Sequence, residues 1–303
     1  MLDLIVFLKS SGANVNVSNL TDTILTFNSK NPNTNYKFYL VIEDRLTKVV
    51  DDIFDNIGRD KLLELSISDL SWAKDFNIFL DKHSNTSEWL LITHDDVEFV
   101  TDNYFESITT PLKNIYDNLG WVTSTNEHYF KNLGRGTTDT FRAGFYKDNN
   151  KWPKMFQLHR GPKNLDYPDR PVKIHGPMSA IMIIRMESMR IVGECEDWTP
   201  YTMLIDEDWS LTALKNNLIN VWVPNVHHLH PLRINERAAT NRWETEAHNG
   251  FLNKWGFNTG NPNITKWEQG ISIGIDKLNT LWDNTLIPWS TDKNSYDWEY
   301  IDE

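Results

Sequence analysis

The chain is 303 residues long, 40% hydrophobic and 24% charged, with 30 Lys+Arg against 42 Asp+Glu for a net charge of −12. That composition supports one large α/β domain or two modest ones around a buried core, and excludes disordered, collagen-like and low-complexity chains. The acidic balance excludes a chain-wide grip on nucleic acid, but not a phosphorylated small molecule bridged by a divalent cation.

The opening run, Met1 to Lys9, has no basic segment ahead of its short apolar stretch. It reads as a first strand rather than a signal peptide. No run approaches the roughly 18 apolar residues of a membrane span. A single cysteine, Cys195, excludes an internal disulfide and a multi-cysteine zinc site. It fits a reducing compartment, and a cytoplasmic location is expected. It also reads as a buried structural thiol.

Leu4 to Leu8 and Tyr36 to Ile42 are continuous apolar runs, as expected of parallel strands covered on both faces. The second ends at Glu43-Asp44. Ser68 or Asp69 is expected to cap a helix whose apolar face is Trp72, Phe76, Phe79 and Leu80. Trp89 to Ile92 is another buried strand, stopping at His94-Asp95-Asp96. Alternating strand and helix signals predict a Rossmann-like parallel sheet. Asp102 to Leu119 reads as helix interrupted by Pro111, and Gly120 to Thr123 as strand. Residues 126–172 lack periodicity, and a loop of that length is functional or mobile. Met178 to Ile184 reads as strand, Asp208 to Leu218 as helix and Val221 to Val223 as strand. The last sixty or so residues are polar with scattered tryptophans, part of a total of 13. No repeat and no clean linker divides the chain.

Three clusters could carry chemistry. Asp95 and Asp96 sit at the carboxyl end of a buried strand, where open α/β sheets bind ligands. Adjacent carboxylates there are costly unless a cation joins them, and oxygen ligands suit Mg²⁺ or Mn²⁺. A solvated turn or a helix cap is the plainer alternative. Asp206-Glu207-Asp208 leads into a helix, which is either ordinary capping or a placed general base. His227, His228 and His230 follow a strand end, and one of them could join the ion at Asp95-Asp96. Gly134-Arg135-Gly136 with Arg142 is a basic loop that could reach a phosphate, or a surface turn. No Gly-x-Gly-x-x-Gly, phosphate-loop or Gly-x-Ser-x-Gly motif occurs, which removes the main support for dinucleotide oxidoreductases, ordinary nucleoside triphosphatases and α/β-hydrolases.

Taken together, these residues resemble the GT-A glycosyltransferases, specifically the family 2-like nucleotide-sugar enzymes, from about Leu4 to about Phe257. His94-Asp95-Asp96 occupies the slot of the family's Asp-x-Asp signature, with His94 in place of the first acid. The resemblance implies that Asp96, with His94 and with His228 or His230, holds Mn²⁺ or Mg²⁺. It implies donor contacts from Asp95, Asp96, Glu43, Asp44, Ser71 and Lys74, the last two in a segment similar to the family's small-residue–Asn helix. Gly176, Pro177 and Met178, with Trp209, follow the acceptor side, and Glu207-Asp208 looks like the family's Glu-Asp motif, in which the Asp is the base. Lys254-Trp255-Gly256-Phe257 is like a closing segment.

The implied fold is GT-A, with a mainly helical or irregular C-terminal extension. Residues 1–240 would be the catalytic domain, comprising a nucleotide-sugar-binding half (1–100) and an acceptor-binding half (101–240). Residues 241–303 would be a Trp-rich extension packed on it. The implied function is a metal-dependent inverting transfer from a nucleotide sugar, UDP-linked by preference, to a glycan or other hydroxyl acceptor. A glycan- or nucleotide-binding protein without catalysis, and a metal-dependent phosphoesterase, use the same residues and stay open.

Overall fold

The computed structural model describes residues 1–10, 16–128, 137–138, 144–148, 152–156, 169–174, 176–177, 180–198, 204–230, 237–255 and 301. The chain begins with β1 (Leu2–Ser10), α1 (Val17–Lys30), β2 (Tyr36–Ile42), α2 (Thr47–Ile57), β3 (Leu62–Ile67), α3 (Trp72–His83) and β4 (Ser87–Thr93). It continues through β5 (Glu98–Phe99), α4 (Tyr104–Thr109), β6 (Leu119–His128), β7 (Thr137–Thr138), β8 (Gly144–Asp148), β9 (Trp152–Phe156) and β10 (Val172–Ile174). β11 (Ile181–Arg185), α5 (Met186–Val192), α6 (Ile205–Lys215), β12 (Ile219–Leu229) and α7 (Arg237–Trp255) complete the described elements.

The central sheet runs β10-β12-β6-β11-β4-β1-β2-β3. β1 pairs parallel with β2 and β4, β2 with β3, and β6 with β12. β11 is antiparallel to both β4 and β6, and β10 to β12. The carboxyl ends of β1, β2, β4, β6 and β12 therefore share one edge with the amino end of β11.

The continuous apolar runs work because successive residues of a strand face opposite layers. In β1, Leu4, Val6 and Leu8 enter one core with Leu20, Ile24 and Phe27 of α1 and Val50 and Phe54 of α2. Ile5 and Phe7 enter the other with Phe76 and Phe79 of α3, Met189 of α5 and Trp209 of α6. β4 and β11 alternate in the same way, with Leu91 and Ile183 on the first side and Leu90 and Met182 on the second. Each such side chain removed from water contributes about 1.5–3 kcal/mol before entropy is counted, so both layers hold the sheet edge rigid.

The expected cap of α3 is displaced. Ser71, not Ser68 or Asp69, is the N-cap, its hydroxyl accepting from Lys74 N at 3.3 Å. Ser68 instead donates to Asp75 Oδ1 at 2.6 Å. The stretch read as an interrupted helix is α4 followed by a 3₁₀ segment, Thr110–Asn118, with Pro111 in its first turn. The region 126–172 contains the hairpin of β8 and β9. The Gly134-Arg135-Gly136 loop and Arg142 lie outside the described residues. At the C-terminal side, Ala247, Phe251 and Trp255 of α7 pack on Leu204 and Leu211 around α6. Ile301 is buried, and its N–H donates to Pro171 O at 2.9 Å. No described helix is long and apolar enough to cross a membrane.

Candidate donor and metal site at the sheet edge

When β4 leaves the sheet after Thr93, the next three residues stay on its edge. The His94 N–H donates to Ala180 O at 3.4 Å, just before β11. Asp95 accepts from the hydroxyl of Ser10, the last residue of β1, at 2.6 Å. Asp96 is buried. From the neighbouring strands, Asn126 Oδ1 at the end of β6 accepts from His230 N at 2.9 Å and holds the residue after β12 in place. The result is a cluster of three ligand atoms, one each from His94, Asp96 and His230, all within 4.8 Å of one another. His230 Nε2 stands 3.2 Å from Asp96 Oδ1 and 3.4 Å from His94 Nδ1. Among the described residues this is the group so arranged.

The donor set fits a divalent ion. Two imidazole nitrogens and one carboxylate oxygen converge from two strand ends, and a mixed nitrogen–oxygen set suits Mn²⁺ better than Mg²⁺, which prefers oxygen alone. His228 does not join it. Its ring is buried on the other side of the strand, where Nδ1 stands 2.6 Å from Ser124 Oγ. Ser124 Oγ stands in turn beside the Tyr104 hydroxyl, at 2.5 Å. Alternation along an extended strand would put His228 and His230 on one face, but β12 ends at Leu229, so His230 leaves the alternation.

The residues expected on the donor side follow β2 and open α3, at the same edge. Glu43 and Asp44 follow β2; Glu43 pairs with Arg45 at 2.6 Å, and Asp44 is exposed. Ser71 caps α3, and Lys74 in its first turn pairs with Asp197 at 3.2 Å. Asn77 ties α3 to the segment before α6: its amide donates to Cys195 O at 3.0 Å and accepts from Cys195 N at 2.8 Å. Cys195 is buried, and desolvation, reinforced by Asp208, Glu196 and Asp197, pushes its thiol far above the usual range.

α6 begins at the same edge. Leu204 adopts a left-handed backbone (φ 62°), unusual for leucine, and turns the chain so that Asp206, Glu207 and Asp208 open the helix. Gly176 lies against this turn. A Cβ there would fall 2.2 Å from Ser210 Oγ and 2.5 Å from Ser210 Cβ. We therefore expect Gly176→Ala to cost about 1–3 kcal/mol, read by chemical denaturation, with Ser210→Gly in the same chain restoring most of the loss. Pro177 is buried beside it, and Met178 lies outside the described residues. Trp209 faces away from the edge. It is 1% exposed and its ring stacks on Trp121 at 5.1 Å, so it packs α6 onto the sheet and has no open face for an acceptor.

The acids of α6 have different surroundings. Asp208 is 2% exposed, and its carboxylate accepts from Trp255 Nε1 at 2.7 Å and Lys254 Nζ at 3.0 Å. Burial raises its pKa above the ordinary value, against the opposing pull of Lys254 and Trp255. Glu207 Oε2 is buried with no hydrogen-bond partner among the described residues. Desolvation and the neighbouring Asp206 raise Glu207 well above the usual carboxylate range.

Sequence reading missed several of these partners. Lys9, the last residue but one of β1, forms a buried ion pair with Asp75 beneath the sheet edge. A lysine near the end of an otherwise apolar parallel strand is the signal that could have found it. The clamp on Asp208 joins residues 46 and 47 positions apart, and nothing local announces it.

This mostly parallel sheet, with β11 reversed between β4 and β6 and helices on both faces, is a GT-A-like α/β fold. No protein-family model and no curated protein matches the chain. Among solved structures it is similar to GalNAc-T7, crystallised with UDP, GalNAc and Mn²⁺. That likeness has a TM-score of 0.59 at 14% identity over 78% of this chain, and the chain covers 45% of the GalNAc-T7 chain. It is also similar to S. aureus TarS 1-349 in complex with UDP-GlcNAc, with a TM-score of 0.57 at 10% identity, covering 92% of this chain and 73% of that one.

Proposed function

We propose that the chain is a glycosyltransferase that moves a sugar from a UDP-linked donor to an acceptor hydroxyl with inversion. The observation that carries this reading is the cluster of His94, Asp96 and His230 within 4.8 Å, on the sheet edge where α6 also presents Asp208. The uridine nucleotides in both structural neighbours, and Mn²⁺ in one, support the same donor and ion.

His94, Asp96 and His230 would hold a divalent cation, preferably Mn²⁺. Bound there, it offsets the charge of the donor diphosphate. Glu43 and Asp44 contact the nucleoside end, and Asp95, fixed by Ser10, accepts from hydroxyl groups of the donor. Ser71 and Lys74 at the start of α3 extend the donor wall, while the segment of Gly176 and Pro177, buried against α6, backs the acceptor side, the role also expected of Met178. Asp208 takes the proton of the acceptor hydroxyl. The freed oxygen pair forms the bond to the anomeric carbon, and the carbon–oxygen bond to the diphosphate breaks with its pair leaving on the phosphate. Glu207 orients Asp208 or the acceptor. This is one displacement, so configuration inverts.

Calorimetry with UDP-GlcNAc, with and without Mn²⁺, tests the donor side. Wild type should bind more tightly with Mn²⁺, and Asp96→Ala should lose that increment. An equal metal-dependent increment in the variant would remove Asp96 from the site. Release of inorganic phosphate from simple monoesters would favour a phosphoesterase instead.

A further inference from the structure

We infer that the last turn of α7 is part of the transfer site, with Trp255 and Lys254 as positioning residues for Asp208. The inference rests on the reading of Asp208 as base, but its geometry is independent of the metal cluster. An acid in the first turn of a helix ordinarily turns its carboxylate back to the free backbone N–H groups. Asp208 instead reaches across to another helix, one oxygen accepting from Trp255 Nε1 at 2.7 Å and the other from Lys254 Nζ at 3.0 Å. Its own N–H is already bonded to Leu204 O at 3.0 Å.

The two donors are themselves held. Trp255 is buried among Leu204, Leu211, Ala247 and Phe251. Lys254 also donates to Glu196 Oε1 at 2.9 Å, tying the clamp to the segment after α5. One turn back, Gly250 seats the indole of Trp198, since a Cβ at that glycine would lie 2.4 Å from Trp198 Cδ1. α7 therefore cannot slide along α6 without losing the Trp198 seat and both bonds to Asp208 together.

A carboxylate offers about four acceptor positions. Among the described residues one position on each oxygen is occupied, and the second on each is where a substrate hydroxyl would bind. The clamp thus fixes the direction of the remaining lone pairs and favours the ionised, proton-accepting form in a buried place. Among the described residues, the charged and titratable groups facing Asp208 are Lys254 from α7, Glu196 and Cys195 from the segment after α5, and Glu207 from its own helix.

Trp255→Phe keeps the ring packing and deletes only the N–H. Two readouts on the intact chain test the role. In the first, UDP release from UDP-GlcNAc with Mn²⁺ and water as acceptor should show kcat falling about tenfold to a hundredfold with donor KM within about twofold. The acid limb of the kcat–pH profile should move to higher pH, because the carboxylate has lost a donor. In the second, without substrate, the indole N–H resonance that disappears in Trp255→Phe should shift with pH in wild type and stay pH-invariant in Asp208→Asn. An unchanged kcat and acid limb in Trp255→Phe, or an indole resonance indifferent to Asp208→Asn, overturns the proposal. Should Asp208→Asn itself release UDP at the wild-type rate, the base assignment fails instead. An inactive Asp208→Asn beside a fully active Trp255→Phe means that the clamp alone is wrong.

Discussion

Replacing Asp208 by Asn should abolish sugar transfer, with kcat falling by about 10²–10⁴, while metal-dependent binding of UDP-GlcNAc stays at the wild-type affinity. The substitution preserves the shape of a 2%-exposed side chain and can still accept from Trp255 Nε1. It removes the charge that faces Lys254 and the capacity to take a proton. The residues proposed for donor and metal flank β2, α3, β4 and β12, and none of these elements touches the Asp208 carboxylate through a described hydrogen bond, so a pure loss of kcat would separate the proposed base from the proposed donor pocket. The same variant has a second signature. Burial raises the folded pKa of Asp208 above its ordinary 3.8. A carboxyl with a raised folded pKa contributes stability below its unfolded value and loses it as pH rises towards the folded value. Wild type should therefore lose a stability increment above about pH 4 that Asp208→Asn does not lose, and melting curves across that range read the difference. A variant that transfers at the wild-type rate would return the proton-accepting role to Glu207, the other acid of this turn with a raised pKa.

Much of this edge was legible because β4 and β2 are apolar runs that stop abruptly at charged residues. In a parallel sheet covered on both faces, the first polar residue after such a run has only the carboxyl edge to occupy. That logic places Glu43, Asp44, His94, Asp95 and Asp96 without a structure, whereas the acids of α6 were legible only as a helix start. It fails where pairing is between distant segments. β11 reads as one more apolar strand, and nothing in Ile181–Arg185 says that it runs antiparallel between β4 and β6. The contact of α7 with α6 escaped because polar residues dominate the sequence of Arg237–Trp255, and the docking rests on Ala247, Phe251 and Trp255. Trp209, which the resemblance had put on the acceptor side, is turned by the helical phase into the core against Trp121 and Phe76. The division between His228 and His230 depends on where β12 ends, and strand ends are the feature that periodicity marks least well.

Lys9→Met should cost about 3–5 kcal/mol of folding stability, as a lower urea midpoint with an unchanged slope. Lys9 and Asp75 pair with side chains each 4% exposed. Lys9 Nζ also donates to Leu70 O at 2.7 Å, and Ser68 donates to the other oxygen of Asp75 at 2.6 Å. Removing the lysine leaves a carboxylate with the Ser68 hydroxyl in place of a cation, a deficit that an apolar methionine does nothing to relieve. The double variant Lys9→Met, Asp75→Leu should recover most of the loss, because two apolar groups need no compensation where an isolated buried charge does. Stability and function are linked at this point. The pair anchors the 68–71 turn through Leu70 O and Ser68, and that turn supplies Ser71, the cap of α3, with Lys74 three residues on. The single variant should therefore weaken UDP-GlcNAc binding beyond what its folded fraction explains. The double variant, once refolded, should still bind less tightly than wild type, because the Leu70 anchor is not restored. A stability loss under about 1 kcal/mol in Lys9→Met, the range of a solvated surface pair, would mean that the lysine is not buried against Asp75 and that the donor edge is braced by the Ser10–Asp95 bond and the two core layers instead.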